Sequence, residues 1–445
     1  MRASLLGRVR AWARLEPHLS DVLGGASVSF FLRVVSRGLS LGFNILLARQ
    51  LGAEGAGVYY LALTVTTLGG VVGRLGVPNA LLRFSAAHAA GGDWEGVAGL
   101  YRQGMRVAAL GSLLVTGLLL LGAGWIAREI FSEAALGTPL RLMSLVILPA
   151  SLLVLHSHLL RGLGKIRDSL LAEAVGVPLI SLVLLAGLGR AWGVRGAVGA
   201  YVIATGVSLV WGVLLWRRAA PKAREAIGVF DRGLLLRTSL PMFSIAVMSV
   251  VIGWADIFLL GVWEPSQQVG IYGVAVRLSV LISFVLTAVN TASAPKFAVL
   301  YARDEKEELG RLARGTALLM ALLALPLLLL FLAAPGWVLG WFGPEFQAGA
   351  VALMILAVGQ FANVATGSVG YLLLMSGHEK AYQTAMVVAT GLNLLLNVLL
   401  IPRYGMEGAA VATAASLVLA NLLAATAVYR KLSILTLPLP RLRSS

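Results

Sequence analysis

Six polar residues recur at helical spacing within an otherwise apolar stretch near the start of the chain. At 100° per residue they fall within an arc of about 100°, and the rest of that helical surface is mainly leucine, valine and phenylalanine. Two of them are arginines four residues apart, and two guanidinium groups on one helical face can bind a single anion. We therefore predict that this stripe lines a wet cavity that receives an anionic group. The stripe consists of Ser29, Arg33, Ser36, Arg37, Ser40 and Asn44.

The two arginines of the stripe differ in how well a purely structural role explains them. Arg33 lies near the start of the predicted helix, where its side chain can reach lipid headgroups. Arg37 lies about 15 Å into the helix at 1.5 Å per residue, a depth that this alternative explains poorly. Cavity lining is favoured for both residues, and more clearly for Arg37.

Other charged residues lie inside apolar stretches, where such groups usually face a cavity or a partner. Arg74 shares a helical face with Tyr60 but lies near a helix end, so substrate contact and a structural role are equally supported. Asp256 and Arg277 are expected to form an ion pair. Asp256 is also the candidate for coupling to a proton or a sodium ion, against a purely structural alternative.

Neutral polar residues and histidines complete the candidates. Asn393 and Asn397 share one face of a predicted helix, where amides either line a cavity or hydrogen-bond to other helices. His156 and His158 point to different sides of their helix, so no metal pair is predicted. The chain has no cysteine and no nucleotide-binding loop, and its loops are short. We expect a protein that is not an enzyme and has no cofactor.

The elements that must position these residues are membrane-spanning helices. The chain has 445 residues, of which 58% are hydrophobic and 13% charged, and its mean hydropathy is +0.87. A span needs about 20 apolar residues, and strand-like alternation is absent. The sequence predicts an all-α polytopic membrane protein with twelve transmembrane helices. The predicted spans are 27–48, 57–77, 107–127, 139–160, 169–189, 196–216, 238–262, 268–292, 314–334, 348–371, 381–401 and 408–429.

The distribution of Lys and Arg predicts the orientation. With the N-terminus in the cytoplasm, cytoplasmic segments hold 26 of the 36 basic residues and outer loops hold 6. Cytoplasmic loops normally carry such an excess, so both termini are expected in the cytoplasm. The same distribution accounts for the net charge of +16 without a nucleic-acid partner.

Three pairs of short segments match at nearly constant offsets of 213, 212 and 211 residues, which indicates an internal duplication. Two six-helix lobes would enter the membrane in the same direction and be related by an axis along the membrane normal. A substrate site is then expected between the lobes near the midplane, with rocking of the lobes as the mechanism. The matches are Gly57–Tyr59 with Gly270–Tyr272, Gly193–Ala197 with Gly405–Ala409, and Asp93–Gly104 with Asp304–Gly315.

The duplication suggests a division of the chain into five parts. The first part has basic residues around an apolar face and is interpreted as an interfacial helix, with a disordered basic tail as the alternative. The parts are a cytoplasmic amphipathic segment (1–25), an N-lobe (26–217), a cytoplasmic linker (218–232), a C-lobe (233–430) and a cytoplasmic tail (431–445).

Three motifs carry a resemblance to a known family. The segment Leu47–Tyr59 resembles the first-loop signature of Wzx-type polysaccharide-export flippases, which belong to the multidrug, oligosaccharidyl-lipid and polysaccharide exporter superfamily. The segment Gly270–Arg277 is similar to their second-half counterpart, and Asn393–Ala410 is similar to their pattern across spans 11 and 12. The usual proline of the first signature is Ala53 here, and the position of Arg74 is often acidic in relatives.

The resemblance implies a function and partners. Relatives move undecaprenyl-diphosphate-linked oligosaccharides from the inner to the outer leaflet of the bacterial inner membrane, beside polysaccharide polymerases and glycosyltransferases. Arg33, Arg37 and Arg277 would then meet the diphosphate. Twelve spans rather than fourteen imply the O-antigen, capsule or exopolysaccharide type rather than the peptidoglycan-precursor type.

Two alternatives remain open at this point. A cation-coupled multidrug exporter of the same superfamily would need buried carboxylates, whereas Asp256 stands against four arginines placed within spans. A non-transporting scaffold of a glycan-assembly complex would have no need of the polar stripe.

Overall fold

The computed structural model describes residues 17–226 and 228–436, and every regular element within those ranges is a helix. The predicted N-terminal segment 1–25 and tail 431–445 therefore lie partly outside the described residues. The α-helices are α1 (Pro17–Arg74), α2 (Val77–Ala90), α3 (Trp94–Trp125), α4 (Gly137–Ser144), α5 (Ile147–Gly162), α6 (Ile166–Ser169), α7 (Val177–Ala219), α8 (Pro221–Glu225), α9 (Arg232–Trp263), α10 (Ser266–Ala302), α11 (Lys306–Ala333), α12 (Pro335–Gly340), α13 (Ala350–Ala365), α14 (Val369–Met375) and α15 (Glu379–Leu432). Two π-helices (Ile126–Ile130 and Leu170–Gly176) and two 3-10 helices (Ala134–Leu136 and Pro344–Gly349) join them.

The helices make twelve crossings, as the sequence predicts. Eight helical segments of the described chain are long and apolar enough to cross a membrane, and a ninth crossing is the pair around α4 and α5, which is bent by 44°. Three of the eight contain two predicted spans each, because α1, α7 and α15 run through the loops expected between them. At 58, 43 and 54 residues these helices are about twice the length that a bilayer requires.

A glycine breaks each of the three long helices where the chain turns back. Gly52, Gly193 and Gly405 have φ of 69°, 55° and 52°, a left-handed backbone that L-residues with a side chain rarely adopt. We call the side of the molecule that holds these breaks the junction side. The opposite side, which holds the segments 217–226 and 228–231, is called the linker side.

The hydrophobic core joins the two halves on the junction side. One large cluster there contains buried aromatic residues of both halves, such as Tyr59, Tyr272 and Phe346. Two smaller clusters lie on the linker side, one in each half. The cluster of the first half includes Leu235 from the start of α9, so α9 leans across toward the first half there. The exact domain boundaries stay a prediction.

Matching glycines of the duplication meet where the halves are closest. A Cβ atom on Gly57 would lie 1.7 Å from the carbonyl oxygen of Ser266, and one on Gly270 would lie 1.9 Å from that of Ala53. These two glycines occupy equivalent places in the repeated motifs and also approach each other. The missing side chains therefore let α1 and α10 pack backbone against backbone.

Two equivalent carboxylates also connect the halves on the junction side. Glu133 Oε2 accepts a hydrogen bond of 2.8 Å from Ser266 Oγ at the start of α10. Glu345 Oε1 accepts one of 2.8 Å from the backbone N–H of Ala53, which follows the break in α1. The two glutamates are 212 residues apart, matching the offset of the duplication. We call these two bonds the junction latches.

A side chain at Gly57 should destabilise the protein. In Gly57→Ala the new methyl group collides with backbone, and overpacking of this kind costs about 1–3 kcal/mol. Gly206→Ala is the matched control, because Gly206 is helical and has nothing within 4 Å of its Cβ position. Thermal unfolding in detergent should show a melting temperature lowered by several degrees for Gly57→Ala alone. Equal melting temperatures would contradict the close packing.

Candidate functional site

A cavity of about 200 Å³ lies between α1, α9 and α10. Its polar lining consists of Arg37, Ser40 and Asn44 from α1 and Arg277 from α10. Trp254 of α9 and aliphatic side chains form the remaining walls. The two arginines therefore approach one space from different halves of the chain.

The polar stripe of α1 divides into two parts. Ser36 Oγ donates a hydrogen bond of 2.6 Å to the carbonyl of Ala174 in the π-helix of the first half. This contact fixes one edge of α1, and the adjacent arc carrying Arg37 and Asn44 faces the cavity. Arg33 lies one turn earlier, is exposed and does not line the cavity.

Contacts with its own helix and with an aromatic ring hold Arg277 in place. Its Nη1 donates a hydrogen bond of 2.8 Å to the carbonyl of Gly273, and its guanidinium carbon lies 3.7 Å from the ring centroid of Tyr60. The Tyr60 hydroxyl donates a hydrogen bond of 2.8 Å to Asn44 Oδ1. Arg277, Tyr60 and Asn44 thus form a continuous chain of contacts between the halves.

The predicted ion pair between Asp256 and Arg277 is wrong. Asp256 is 4% exposed and accepts hydrogen bonds from the Tyr272 hydroxyl (2.7 Å) and Thr413 Oγ1 (3.3 Å). Tyr272 lies on α10 five residues before Arg277, and its hydroxyl supplies the carboxylate with a neutral donor. Three oxygen atoms consequently meet at one buried position in the second half.

None of the described residues that line the cavity is acidic, so none can balance the positive charge of the two arginines. Four ion pairs lie within the described ranges, and neither Arg37 nor Arg277 takes part in any of them. Because a guanidinium group at membrane depth is costly without a partner, the cavity favours an anionic ligand. Planar guanidinium groups suit phosphate oxygens in particular.

Arg74 lies in a different environment, within the first half. It does not line the cavity, and it interacts electrostatically with Glu173 and Tyr201. Glu173 itself pairs with Arg161, with 2.9 Å between Oε2 and Nη2. Sequence reasoning missed Glu173, which lies within the predicted span 169–189. Arg161, twelve residues earlier, was the feature of the sequence that could have indicated a charged partner for Glu173.

Asn393 and Asn397 also lie away from the cavity. Both are buried in α15, and Asn397 Nδ2 donates a hydrogen bond of 3.0 Å to Asn393 Oδ1. They therefore bond along one helix rather than lining the cavity. Trp254 is a cavity residue that sequence reasoning missed, since a tryptophan in an apolar span carries no distinguishing signal.

A larger space on the junction side is a less suitable site. It has about 830 Å³ and is an open groove beside Trp192 and Arg195. Trp and Arg are common at membrane interfaces for reasons unrelated to a ligand. Within the described residues, no group of three or more His, Asp or Glu side chains could hold a metal ion.

Twelve helical crossings in two packed halves, with a basic cavity between them, define a multi-pass membrane protein with a transporter fold. The description "Polysaccharide biosynthesis protein" belongs to the family model that matches residues 22–301, and a second model, MatE, matches residues 241–399. The chain belongs to the polysaccharide biosynthesis protein family.

Two solved structures share the fold of this chain. An inward-facing multidrug resistance MATE family transporter of the MOP superfamily superimposes with a TM-score of 0.74 at 14% identity, over 92% of this chain and 98% of that chain. The lipid II flippase MurJ in an inward closed conformation gives a TM-score of 0.73 at 13% identity, over 91% and 87%. At these identities, the two similarities establish a shared fold and nothing about function.

The curated relative is the "Probable flippase AglR" of Haloferax volcanii. It is 29% identical over 189 residues, which cover 42% of this chain and 39% of that protein. The chain spans about two fifths of the length of the curated relatives it matches.

Anion binding should depend on the two arginines of the cavity. Arg37→Ala and Arg277→Ala should each weaken binding of inorganic pyrophosphate roughly tenfold or more, because each removes charge-assisted hydrogen bonds. Isothermal titration calorimetry in detergent would measure this. Arg74→Ala is the control and should bind like the wild type. Unchanged affinity in both cavity variants would show that the anion binds elsewhere.

Proposed function

We propose that the chain is a flippase that moves undecaprenyl-diphosphate-linked oligosaccharide from the inner to the outer leaflet by alternating access. The repeat unit of an O-antigen, capsule or exopolysaccharide is the substrate. The observation that carries the proposal is the convergence of Arg37 and Arg277, from two halves, on one cavity without an acidic partner among the described residues. Family membership and a flippase-named relative support it.

The cavity suits the diphosphate rather than the whole glycan. A diphosphate carries about two or more negative charges, which hydrocarbon rejects and guanidinium groups accept. Typical pockets for small molecules have volumes of about 300–1,000 Å³, and this cavity has about 200 Å³. The sugars would therefore require the lobes to move apart while the two arginines hold the headgroup.

The contacts on the junction side fit a rocking cycle. The glycine contact and the junction latches close this side of the molecule. With Lys and Arg concentrated on the linker side, that side faces the cytoplasm and the junction side faces outward. The protein then lies in the bacterial inner membrane with both termini cytoplasmic, and rocking must separate the junction side to release the glycan. Polysaccharide polymerases and glycosyltransferases are the proposed partners, since they consume and supply such a substrate.

A multidrug exporter is the second candidate. The match to the MatE model and the buried carboxylate of Asp256 favour it, whereas the uncompensated arginines oppose an organic cation at the cavity. A scaffold without transport is the third candidate.

One reconstitution experiment separates the three candidates. Proteoliposomes holding the wild type should move a fluorescent undecaprenyl-diphosphate oligosaccharide between leaflets, and Arg37→Ala should abolish this movement while inserting normally. Arg74→Ala is the control for removal of an intramembrane arginine outside the cavity. Transport of an organic cation instead would favour the exporter, and transport of neither substrate would favour the scaffold.

Asp256 is the proposed coupling residue. Its carboxylate shares a buried position with hydroxyl groups of Tyr272 and Thr413, and oxygen ligands of this kind can hold a proton or a sodium ion. Asp256→Asn should remove the acceleration of flipping by an imposed proton or sodium gradient and leave the rate without a gradient. Gradient dependence equal to that of the wild type would assign Asp256 a structural role.

A further inference from the structure

Tyr60 lies directly behind the cavity and is fully buried. It belongs to the part of α1 after the break at Gly52, whereas Arg277 belongs to α10 in the second half. The Tyr60 side chain does not line the cavity itself. It contacts two residues that do, and these come from the two sides of the cavity.

The ring of Tyr60 and the backbone of α10 jointly fix the guanidinium group of Arg277. The guanidinium carbon lies 3.7 Å from the ring centroid, and one N–H is occupied by the carbonyl of Gly273. Guanidinium has five N–H donors, so this arrangement leaves donors for a ligand. The aromatic face offsets part of the charge without the carboxylate that would compete with an anion.

A glycine makes this arrangement sterically feasible. A Cβ atom on Gly273 would lie 2.5 Å from Cδ2 of Tyr60. The ring therefore rests on bare backbone one helical turn before Arg277, in line with the guanidinium group. Any side chain at Gly273 would push the ring away from this position.

The hydroxyl of Tyr60 extends the contact to the other wall of the cavity. It donates to Asn44 Oδ1, and Asn44 Nδ2 donates to the carbonyl of Ser40 at 2.6 Å. Both of these α1 residues line the cavity. One tyrosine thus determines the relative placement of polar groups on opposite walls.

We propose that Tyr60 is the positioning residue of the anion site: its ring aims the Arg277 guanidinium at the lipid diphosphate, and its hydroxyl ties that group to the wall formed by α1. This inference rests on the proposed function, because the ligand is the headgroup named there.

The test compares two lipids that share a tail and differ in charge. Binding of undecaprenyl diphosphate and of uncharged undecaprenol to the purified full chain in detergent gives a ratio of affinities. Tyr60→Leu should lower this ratio roughly five- to thirty-fold, because it removes the cation–π contact. Tyr60→Phe keeps the ring but loses the hydrogen bond to Asn44, so it should lower the ratio less than Tyr60→Leu does. A merely structural role would change both affinities together and leave the ratio constant.

Two further variants keep the test decisive. Tyr101→Leu removes a different ring, which packs against His156 and Trp216 in the first half, away from the cavity, and should leave the ratio unchanged. Gly273→Ala displaces the Tyr60 ring without deleting it and should lower the ratio as Tyr60→Leu does, even if the leucine variant fails to fold.

The outcomes separate this inference from the proposed function. A wild type that binds both lipids equally overturns the proposed function and this inference with it. A wild type that prefers the diphosphate, with the same preference in Gly273→Ala and Tyr60→Leu, overturns the inference alone. An equal loss of preference in Tyr101→Leu also overturns it.

Discussion

Arg37 and Arg277 face one cavity at membrane depth, and within the described chain no carboxylate lies at ion-pair distance from either. Charge in such a place is costly unless it meets a partner, so the arrangement suits a negative group that the described residues do not supply. The surrounding structure meets this constraint with weak neutral contacts. A carbonyl and an aromatic ring hold Arg277, and both leave its charge available.

Each half of the chain contains an equivalent hydrogen bond from a tyrosine hydroxyl, but the acceptor is an amide in one half and a carboxylate in the other. In the first half the Tyr60 hydroxyl reaches Asn44, sixteen residues earlier, and in the second half Tyr272 reaches Asp256 at the same spacing. The amide belongs to the wall of the basic cavity, while the carboxylate is buried away from it. The two halves thus share one local arrangement. Because the acceptor is an amide in the first half and a carboxylate in the second, the proposed anion site and the proposed coupling site lie in different places.

Hydrophobicity and periodicity were sufficient to predict the twelve crossings and the cavity-facing position of Arg37. Twenty apolar residues define a span, and polar side chains aligned on one face of a span would be costly against lipid, so that face must meet water or protein. The partner of Asp256 could not be predicted, because a tyrosine donor and an arginine were both available on α10. Glu173 was missed for a related reason. The role of a charged residue inside a predicted span can be inferred only when its partner is known, and the partner here is Arg161. The pairs of helices that meet at the breaks at Gly52 and Gly405 depend on tertiary packing, which the pattern of a single sequence does not specify.

The junction latches have a mechanical consequence that follows from their symmetry. Glu133 and Glu345 each hold the opposite half, and they lie at equivalent places in the duplication. If one of these bonds broke alone, the other bond, the hydrogen bond from Arg49 Nε to the carbonyl of Trp341 and the backbone contact at Gly57 would still join the halves. In the proposed cycle, opening of the junction side would therefore require all of these contacts to separate. Such a set of contacts would disfavour half-open states through which ions could leak.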